Sequence, residues 1–222
     1  MRINDLEKVQ LYFQKLLLEW FARNGRDFPW RHTQDAYSVL VAEKLLQQTS
    51  IKPSVVTAYQ TIITQYPNIE SLAQAEESEI SQIVSPLGLR YRALELIKLA
   101  RQVQEEYQCV IPRNLKELMR LRGVGDYIAR AILSFAYLDD DVVVDVNVAR
   151  ILYRVFDLPG KFPENPARKR NLYIILDDLM PKGKSNHYNW AMIDLGSLIC
   201  KHSNPKCSIC PLKEICFYAM KG

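Results

Sequence analysis

The chain has 222 residues, of which 48% are hydrophobic and 24% are charged. Such a composition is typical of a globular protein with one or two domains and a sizeable core, and it argues against the disordered and fibrous classes. Lysine and arginine exceed aspartate and glutamate by 29 − 25 = 4, a mild positive excess that permits nucleic-acid binding without demanding it.

The N-terminal segment MRINDLEKVQ lacks the apolar core of a secretory signal peptide. No apolar run approaches the roughly 20 residues that a membrane-spanning helix needs. We therefore expect a cytoplasmic protein without a membrane partner, associated with the nucleoid in a prokaryote.

Apolar residues recur at helical spacing through most of the chain. Gly25, Pro53 and Pro67 mark the ends of several of these segments. The only strand-like run, Val142 to Val148, is short and continues into a helix. The pattern therefore predicts an all-α fold, with helices over residues 5–24, 37–49, 53–66, 70–75, 78–84, 91–108, 115–120, 126–137, 147–155, 168–179 and 188–199.

The segment LRGVGDYIARAIL, which begins at Leu121, contains a Gly-Val-Gly turn between two helical patterns. Gly123 and Gly125 allow a positive φ on both sides of Val124, so that the backbone can approach a phosphate closely. The first turn of the next helix offers unpaired N–H groups and the positive end of the helix dipole. We interpret residues 121–126 as a helix–hairpin–helix that binds a DNA backbone. An ordinary helical turn is the alternative.

Asp145 lies between two valines, and an acid in an apolar segment is usually functional or paired. A carboxylate near a sugar can stabilise the positive charge that develops when a glycosidic bond breaks. We assign this role to Asp145. We expect Asn147 to cap the helix that follows.

Four of the five cysteines stand in C-x6-C-x2-C-x5-C spacing within the last 23 residues. Four thiolates at this spacing can surround a tetrahedral zinc ion or a [4Fe–4S] cluster, and the spacing alone leaves both open. Lys201, Lys206 and Lys213 give the segment a positive charge that suits phosphate contact, with a solvated basic rim as the alternative. The predicted metal ligands are Cys200, Cys207, Cys210 and Cys216.

Together these motifs resemble the endonuclease III-like superfamily of DNA glycosylases. LRGVGDYIARAIL is similar to the family's hairpin, VVVDVNVARIL to its catalytic segment and DLGSLICKHSNPKCSICPLKEIC to its [4Fe–4S] loop. The resemblance covers nearly the whole chain, and it implies an iron–sulfur cluster rather than zinc. Because the family's hairpins often hold a monovalent cation, the turn is also a candidate site for one.

The resemblance implies a two-domain helix–hairpin–helix DNA glycosylase fold. A six-helix barrel domain would span residues 29–138 and include the hairpin. The cluster domain would join an N-terminal helix at 1–28 to residues 139–222, with the iron–sulfur loop at 200–216.

The resemblance also assigns roles to individual residues. Glu43, in AEKLLQQT, matches a second carboxylate that protonates the departing base or orders a water, although the helical pattern alone favours a surface glutamate. Gln48 and Leu89 match the wedge residues that enter a duplex when a base is flipped out, and for Leu89 a capping leucine is an equal alternative. Asn147 would lie near the DNA strand. Tyr127 stands where bifunctional members carry a Schiff-base lysine, and a phenol cannot form that imine.

Two positions depart from the family pattern. Arg122 stands where the family usually has proline, which loosens the turn and adds a candidate phosphate contact. Asp126 replaces a residue that is often basic. It suits a helix N-terminus but would repel a phosphate, so we expect its side chain to point away from DNA.

We predict a monofunctional mismatch-specific DNA glycosylase of base excision repair, a monomer whose partner is double-stranded DNA with a mismatched or damaged base. FPWRHT, AEKLLQQTS and DVNVAR are similar to Mig-type thymine–guanine and MutY-type adenine glycosylases. Leu89 and RDFPWRHT are closer to the Mig type, and the chain stops six residues after Cys216, which leaves no room for the extra domain of the MutY type. Thymine or uracil opposite guanine is therefore the expected substrate.

Two other functions stay open from the sequence. One is an adenine glycosylase acting opposite guanine or 8-oxoguanine, because the catalytic residues are shared. The other is a non-catalytic DNA-binding module with a structural metal, which would need the hairpin and the cysteines but would not need Asp145, Glu43 and Tyr127 together.

Overall fold

The computed structural model describes residues 3–47, 49, 51–88 and 91–221, with side chains from residue 8 onward. None of these residues lies in a β-strand, and the predicted all-α class is confirmed. The helices of the described chain are α1 (Ile3–Asn24), α2 (Ala36–Leu46), α3 (Pro53–Gln65), α4 (Ile69–Ala73), α5 (Glu77–Val84), α6 (Tyr91–Tyr107), α7 (Leu115–Leu118), α8 (Asp126–Phe135), α9 (Val146–Phe156), α10 (Arg170–Leu179), α11 (Ser185–Leu198) and α12 (Phe217–Lys221).

Several helices begin where the local sequence satisfies their first N–H groups. At the start of α2 the Asp35 carboxylate accepts from the Ser38 N–H at 2.9 Å. Asn68 and Ser71 form a reciprocal capping box at the start of α4. Pro53 occupies the first turn of α3, where a missing N–H leaves no helical hydrogen bond unmade.

The strand-like run at 142–148 does not form a strand. Its first part is extended, and α9 begins at Val146. The extended backbone is bound by a side chain instead of by a second strand, since the Asn189 amide oxygen accepts from the Val143 N–H at 3.1 Å and the Asn189 amide nitrogen donates to the Asp141 carbonyl at 2.8 Å.

The chain packs as two compact units, one made of Met1–Arg26 with Leu138–Gly222 and the other of Asp27–Tyr137. The observed boundaries lie after Arg26 and after Tyr137. The predicted boundaries, after residues 28 and 138, lie two residues and one residue further along the chain. In the first unit the N-terminal helix α1 packs on α10 and α11, and α9 packs on α11. Its core is closed by apolar residues from all of these helices, among them Phe13, Leu17, Val148, Leu152, Leu172, Leu176 and Leu195.

The second unit contains α2 to α8. Here α6 packs on α4 and α5, and α2 packs on α3 and α8. Helix α2 is buried from Tyr37 to Leu45, because neighbours cover it on every side. No helix within the described residues is long and apolar enough to cross a bilayer.

Candidate functional site

The Gly-Val-Gly turn lies between α7 and α8. Gly123 has φ +67°, a left-handed conformation that favours glycine, and the Val124 N–H closes the turn on the Leu121 carbonyl at 3.0 Å. Gly125 has φ −95° and ψ −179°, so the expectation of a positive φ at both glycines is wrong for this one. A Cβ on Gly125 would meet no atom within 4 Å, and packing therefore does not require glycine there.

Helix α8 begins at this turn without a side-chain cap, since its N-cap residue is Gly125. The first N–H groups of a helix have no carbonyl partner within it, and with the helix dipole they attract anions. Asp126, in this first turn, accepts from Arg130 at 3.0 Å, which neutralises its carboxylate along the helix. Tyr127 follows and is half-buried.

Side chains from α2 and the turn after it hold the hairpin from one side. The Lys44 ammonium donates to the Gly123 carbonyl at 3.0 Å, and the Gln47 amide donates to the same oxygen at 3.1 Å. Burial lowers the pKa of Lys44 below its ordinary value, opposed by the attraction of Glu95.

Side chains from α6 hold the hairpin from another side. The Arg122 guanidinium forms a bidentate pair with Glu95 at 2.8 and 3.0 Å, and the Arg122 N–H donates to Gln102 at 2.8 Å. Glu95 thus binds the guanidinium in this structure, and the candidate phosphate contact of Arg122 stays a prediction.

Glu43 lies on α2 with only 6% of its surface exposed. The surface position that the helical pattern favours is thus wrong, because α2 is enclosed by its neighbours rather than amphipathic. Charged residues are rarely buried unless they are paired or functional, and Glu43 makes contacts within the protein. The role of Glu43 as the second carboxylate stays a prediction.

Asp145, in the first unit, is the N-cap of α9. Its Oδ1 accepts from the N–H groups of Asn147 and Val148, both at 2.8 Å, and its Oδ2 accepts from the Asn147 amide at 2.8 Å. The cap predicted for Asn147 is therefore wrong, because the acid two residues earlier takes the free N–H groups. Burial raises the pKa of Asp145 above its ordinary value, while the three hydrogen bonds oppose that increase.

A buried arginine holds the other end of Asn147. Arg150 donates to the Asn147 amide oxygen at 2.7 Å, to the Gly196 carbonyl at 2.8 Å and to the Cys200 carbonyl at 2.6 Å. A continuous set of hydrogen bonds thus runs from the Cys200 backbone through Arg150 and Asn147 to the Asp145 carboxylate.

Helices α9 and α11 approach each other closely where this set of bonds begins. A Cβ on Gly196 would lie 2.5 Å from the Asn147 Cβ, closer than real Cβ contacts. Only glycine fits there, and its carbonyl is thereby brought within reach of Arg150.

The four predicted cysteine ligands line a common cavity with Ile151 and Leu212. Burial raises the pKa of Cys210 to about 11, and the other three thiols contribute to the increase. A bound metal reverses this effect by stabilising thiolates, so the donor set suits a metal centre. Among the described His, Cys, Asp and Glu side chains, no three form a group that could hold a metal ion. The chemistry of the donor set suits a metal centre, and the cofactor itself stays a prediction.

Three predicted DNA contacts receive little further support. Gln48 and Leu89 lie outside the described residues. Lys206 is exposed on the cysteine segment, and its backbone N–H donates to the Ile199 carbonyl at 3.0 Å. Lys44 and Arg150, by contrast, hold the hairpin and Asn147 in place and were not predicted. For Lys44 the sequence does contain a signal, since Glu43 and Lys44 are two adjacent charged residues in an otherwise apolar helix.

Comparison with known proteins identifies the class to which this fold and site belong. The model of the HhH-GPD superfamily of base excision DNA repair proteins matches residues 41–173. The chain belongs to this superfamily, as predicted, and DNA is accordingly its partner.

Individual relatives are similar over most of the chain. A thymine-DNA glycosylase from Aeropyrum pernix is 35% identical over 92% of this chain and 93% of its own length. An adenine DNA glycosylase from Buchnera aphidicola is 34% identical over 92% of this chain and 58% of its own length. The solved structure of a thermostable thymine-DNA glycosylase superposes with a TM-score of 0.90 at 32% identity, covering 98% of this chain and 99% of that one. The predicted fold and the predicted enzyme class, DNA glycosylase, are confirmed.

Proposed function

We propose that the chain is a monofunctional DNA glycosylase that releases thymine or uracil opposite guanine from duplex DNA, acting as a monomer. The observation that carries this proposal is the Asp145 carboxylate, half-buried at the start of α9 and fixed by three hydrogen bonds. The choice of base is supported by the thymine-DNA glycosylase relatives and by the similarity to a solved thymine-DNA glycosylase.

Breaking an N-glycosidic bond leaves positive charge on the deoxyribose, and a fixed carboxylate stabilises that charge without having to reorganise. Asp145 meets this need because both of its oxygens are bound, so the side chain cannot rotate away. Asn147 acts as a positioning residue for Asp145, since its own amide is held at both ends. Partial burial strengthens the interaction of the carboxylate with a developing cation.

Glu43 is the proposed second carboxylate, which protonates the departing base or orders the attacking water. Its burial in α2 supports a functional role, because a charged side chain is rarely buried unless it is paired or functional. Tyr127 supplies no amine, so no Schiff base forms and the strand is left uncut.

The uncapped start of α8 binds a DNA phosphate in this proposal, through Gly123, Val124 and Gly125. Lys206 contributes a second phosphate contact. Gln48 and Leu89 fill the space that the flipped base leaves in the stack.

The cysteine segment would hold a [4Fe–4S] cluster through Cys200, Cys207, Cys210 and Cys216. When bound, such a cluster cross-links the segment and leaves base release to the carboxylates. The Arg154 guanidinium donates to the Cys200 Sγ at 3.4 Å, so one of the four proposed ligands is oriented by a neighbouring side chain. The purified protein should therefore be yellow-brown with absorbance near about 400 nm, an expectation that follows from thiolate-bound iron–sulfur. A colourless, zinc-containing and fully active protein would contradict the cofactor.

End-labelled duplexes containing G·T, G·U, G·A or 8-oxoguanine·A test the substrate. We expect strand cleavage only at G·T and G·U, and only after hot alkali, because a monofunctional enzyme leaves an intact abasic strand. Cleavage without alkali would contradict the role of Tyr127. Tight binding without base release would identify a non-catalytic module.

An adenine glycosylase is the second candidate, favoured by the 34% identity to the Buchnera enzyme. The same assay distinguishes the two, since cleavage confined to the adenine-containing duplexes would assign the chain to the adenine class with the same carboxylates.

A further inference from the structure

Lys44 is a buried cation to which the proposed reaction gives no role. It is only 5% exposed, and its ammonium donates to the Gly123 carbonyl at 3.0 Å. A Cβ on Gly123 would lie 2.5 Å from the Lys44 Nζ. The hairpin glycine therefore leaves the space that this ammonium occupies.

The groups around Lys44 make a positive charge on its side chain unfavourable unless a specific contact compensates for it. Arg92 on α6 and Arg122 in the hairpin repel the ammonium, whereas Glu95 attracts it. An amphipathic side chain such as lysine normally keeps its charged end in water. The bond to the Gly123 carbonyl is the contact that compensates for its burial.

The hairpin is closed from within by one backbone hydrogen bond, from the Val124 N–H to the Leu121 carbonyl. It has no proline to fix φ, because Arg122 stands there, so contacts from outside add to the constraint of that bond. Lys44 and Gln47 hold the carbonyl of Gly123, while Glu95 and Gln102 hold Arg122. Of these side chains, Lys44 is the one that is buried.

The end of α2 provides a fixed base for Lys44. Arg92 donates to the carbonyls of Lys44 and Leu45 at 3.2 and 3.1 Å, to the carbonyl of Gln47, and to the Thr49 hydroxyl at 3.3 Å. The Lys44 backbone is thus held in place, and its side chain transmits that position to the hairpin.

We propose that Lys44 is a positioning residue, which fixes the 121–125 turn in the conformation that presents the start of α8 to a DNA phosphate. This inference rests on the proposed function. It distinguishes Lys44 from lysines that touch DNA, because its ammonium faces a backbone carbonyl inside the protein.

Lys44→Met, which removes the ammonium and keeps an unbranched apolar stem, tests the proposal. We expect the Kd for a G·T duplex to rise about tenfold to a hundredfold, the range for one hydrogen bond from a charged group. Single-turnover base release at saturating enzyme should stay within about twofold of wild type. The dependence of affinity on salt should not change, whereas loss of a phosphate contact lowers that slope by about one.

The exposed Lys98 on α6 offers a matched control, and Lys98→Met should bind like wild type. An unchanged Kd for Lys44→Met, or a salt slope reduced by about one, would overturn the proposal. If Lys44→Met does not fold, Gln47→Ala removes the second donor to the same carbonyl. The affinity of Gln47→Ala for DNA must then fall while the dependence of affinity on salt stays unchanged. Wild-type affinity of this variant would also overturn the proposal.

A double-mutant cycle with Gly123→Ala tests the contact itself. The added methyl group collides with the Lys44 ammonium, whereas methionine leaves that space empty, so the double variant should bind DNA better than the two separate losses predict. Additive losses would show that the contact does not matter for binding. A wild-type protein that releases no base from any duplex would instead overturn the proposed function.

Discussion

Helices α8 and α9 begin in opposite ways. Helix α8 has Gly125 at its N-cap, and this residue makes no side-chain cap. Helix α9 has Asp145 there, and the carboxylate accepts from two of those groups at 2.8 Å each. The start of α8 thus carries no side-chain cap, whereas the start of α9 is capped by a carboxylate of the chain itself.

The difference shows that one set of backbone donors can serve two purposes. At α8 the open N–H groups suit a phosphate that arrives with DNA. At α9 they orient a carboxylate that must not rotate. Capping usually adds to stability, so the missing cap at α8 is a small loss of stability, which the proposed phosphate contact would explain.

Asp145→Asn alters the α9 start with the largest expected effect. Asparagine caps helices as well as aspartate does, so the fold and DNA binding should be retained, the latter within about threefold. Base release should fall by at least about 100- to 1000-fold, because the developing cation loses its counter-charge. Single-turnover assays on a G·T duplex measure the rate, and normal base release would exclude Asp145 from the reaction.

The same substitution should reduce the pH dependence of stability. The pKa of Asp145 is raised on folding, so the folded state disfavours the ionised carboxyl and its contribution to stability falls as pH rises through the unfolded and folded pKa values. Asparagine does not ionise. Between acidic and neutral pH the Tm of the variant should therefore fall less than that of the wild type, which thermal unfolding at the two pH values measures.

Gly125→Asp converts the α8 start into a copy of the α9 start. There is room for the side chain and φ is negative, so the variant should fold, with stability raised by a few tenths of a kcal/mol. The Kd for duplex DNA should rise about tenfold to a hundredfold, because the carboxylate takes the N–H groups and repels the phosphate. Gly125→Ala is the control, and equal affinity of the two variants would argue against anion binding at this helix.

Asn147→Ala loosens the carboxylate without removing it. The Asn147 hydrogen bonds lower the pKa of Asp145, so losing the amide should raise that pKa further. Because the ionised carboxylate is the active form in the proposed reaction, the acidic limb of the rate–pH profile should move to higher pH, so that the variant loses more of its rate at acidic than at neutral pH. A uniform loss of rate at all pH values would indicate that Asn147 acts only on the fold.

Asp126→Asn has the smallest expected effect. The acid at the start of α8 is neutralised by Arg130, so its removal should improve DNA affinity only about twofold to fivefold. The variant should also lose about 0.3–1 kcal/mol of stability, because an acid near a helix N-terminus interacts favourably with the dipole. Weaker DNA binding would mean that the carboxylate has a direct role in the interface.

The sequence predicts the helices well and identifies Asp145 as an acid with polar partners, because both depend on near neighbours. The role of Asp145 in the reaction stays a prediction. The valines around Asp145 and the glycines before α8 are local signals. The same signals fail for Asn147 and Gly125. Two capping residues separated by one position do not show which of them caps the helix, and a glycine in the sequence does not show whether a positive φ or a lack of space requires it.

The supports of the site depend on residues far apart in the chain and could not be predicted. Lys44 binds a carbonyl 79 residues away, and Arg150 binds one 50 residues away. The helical pattern placed Glu43 on a surface because it contains no information about how many neighbours cover α2. Local periodicity describes one helix at a time, whereas burial is decided by the other helices.

The close approach between Gly196 and Asn147 limits where residues can be inserted into this chain or deleted from it. Each residue added to a helix turns everything beyond it by about 100°, so one extra residue within α11 before Gly196 would bring a side chain against Asn147, where a Cβ has 2.5 Å of space. The segment between α9 and α10 carries no such constraint and can change length, since loops tolerate insertion. Length variation should therefore accumulate before α10 and be absent from the first three turns of α11.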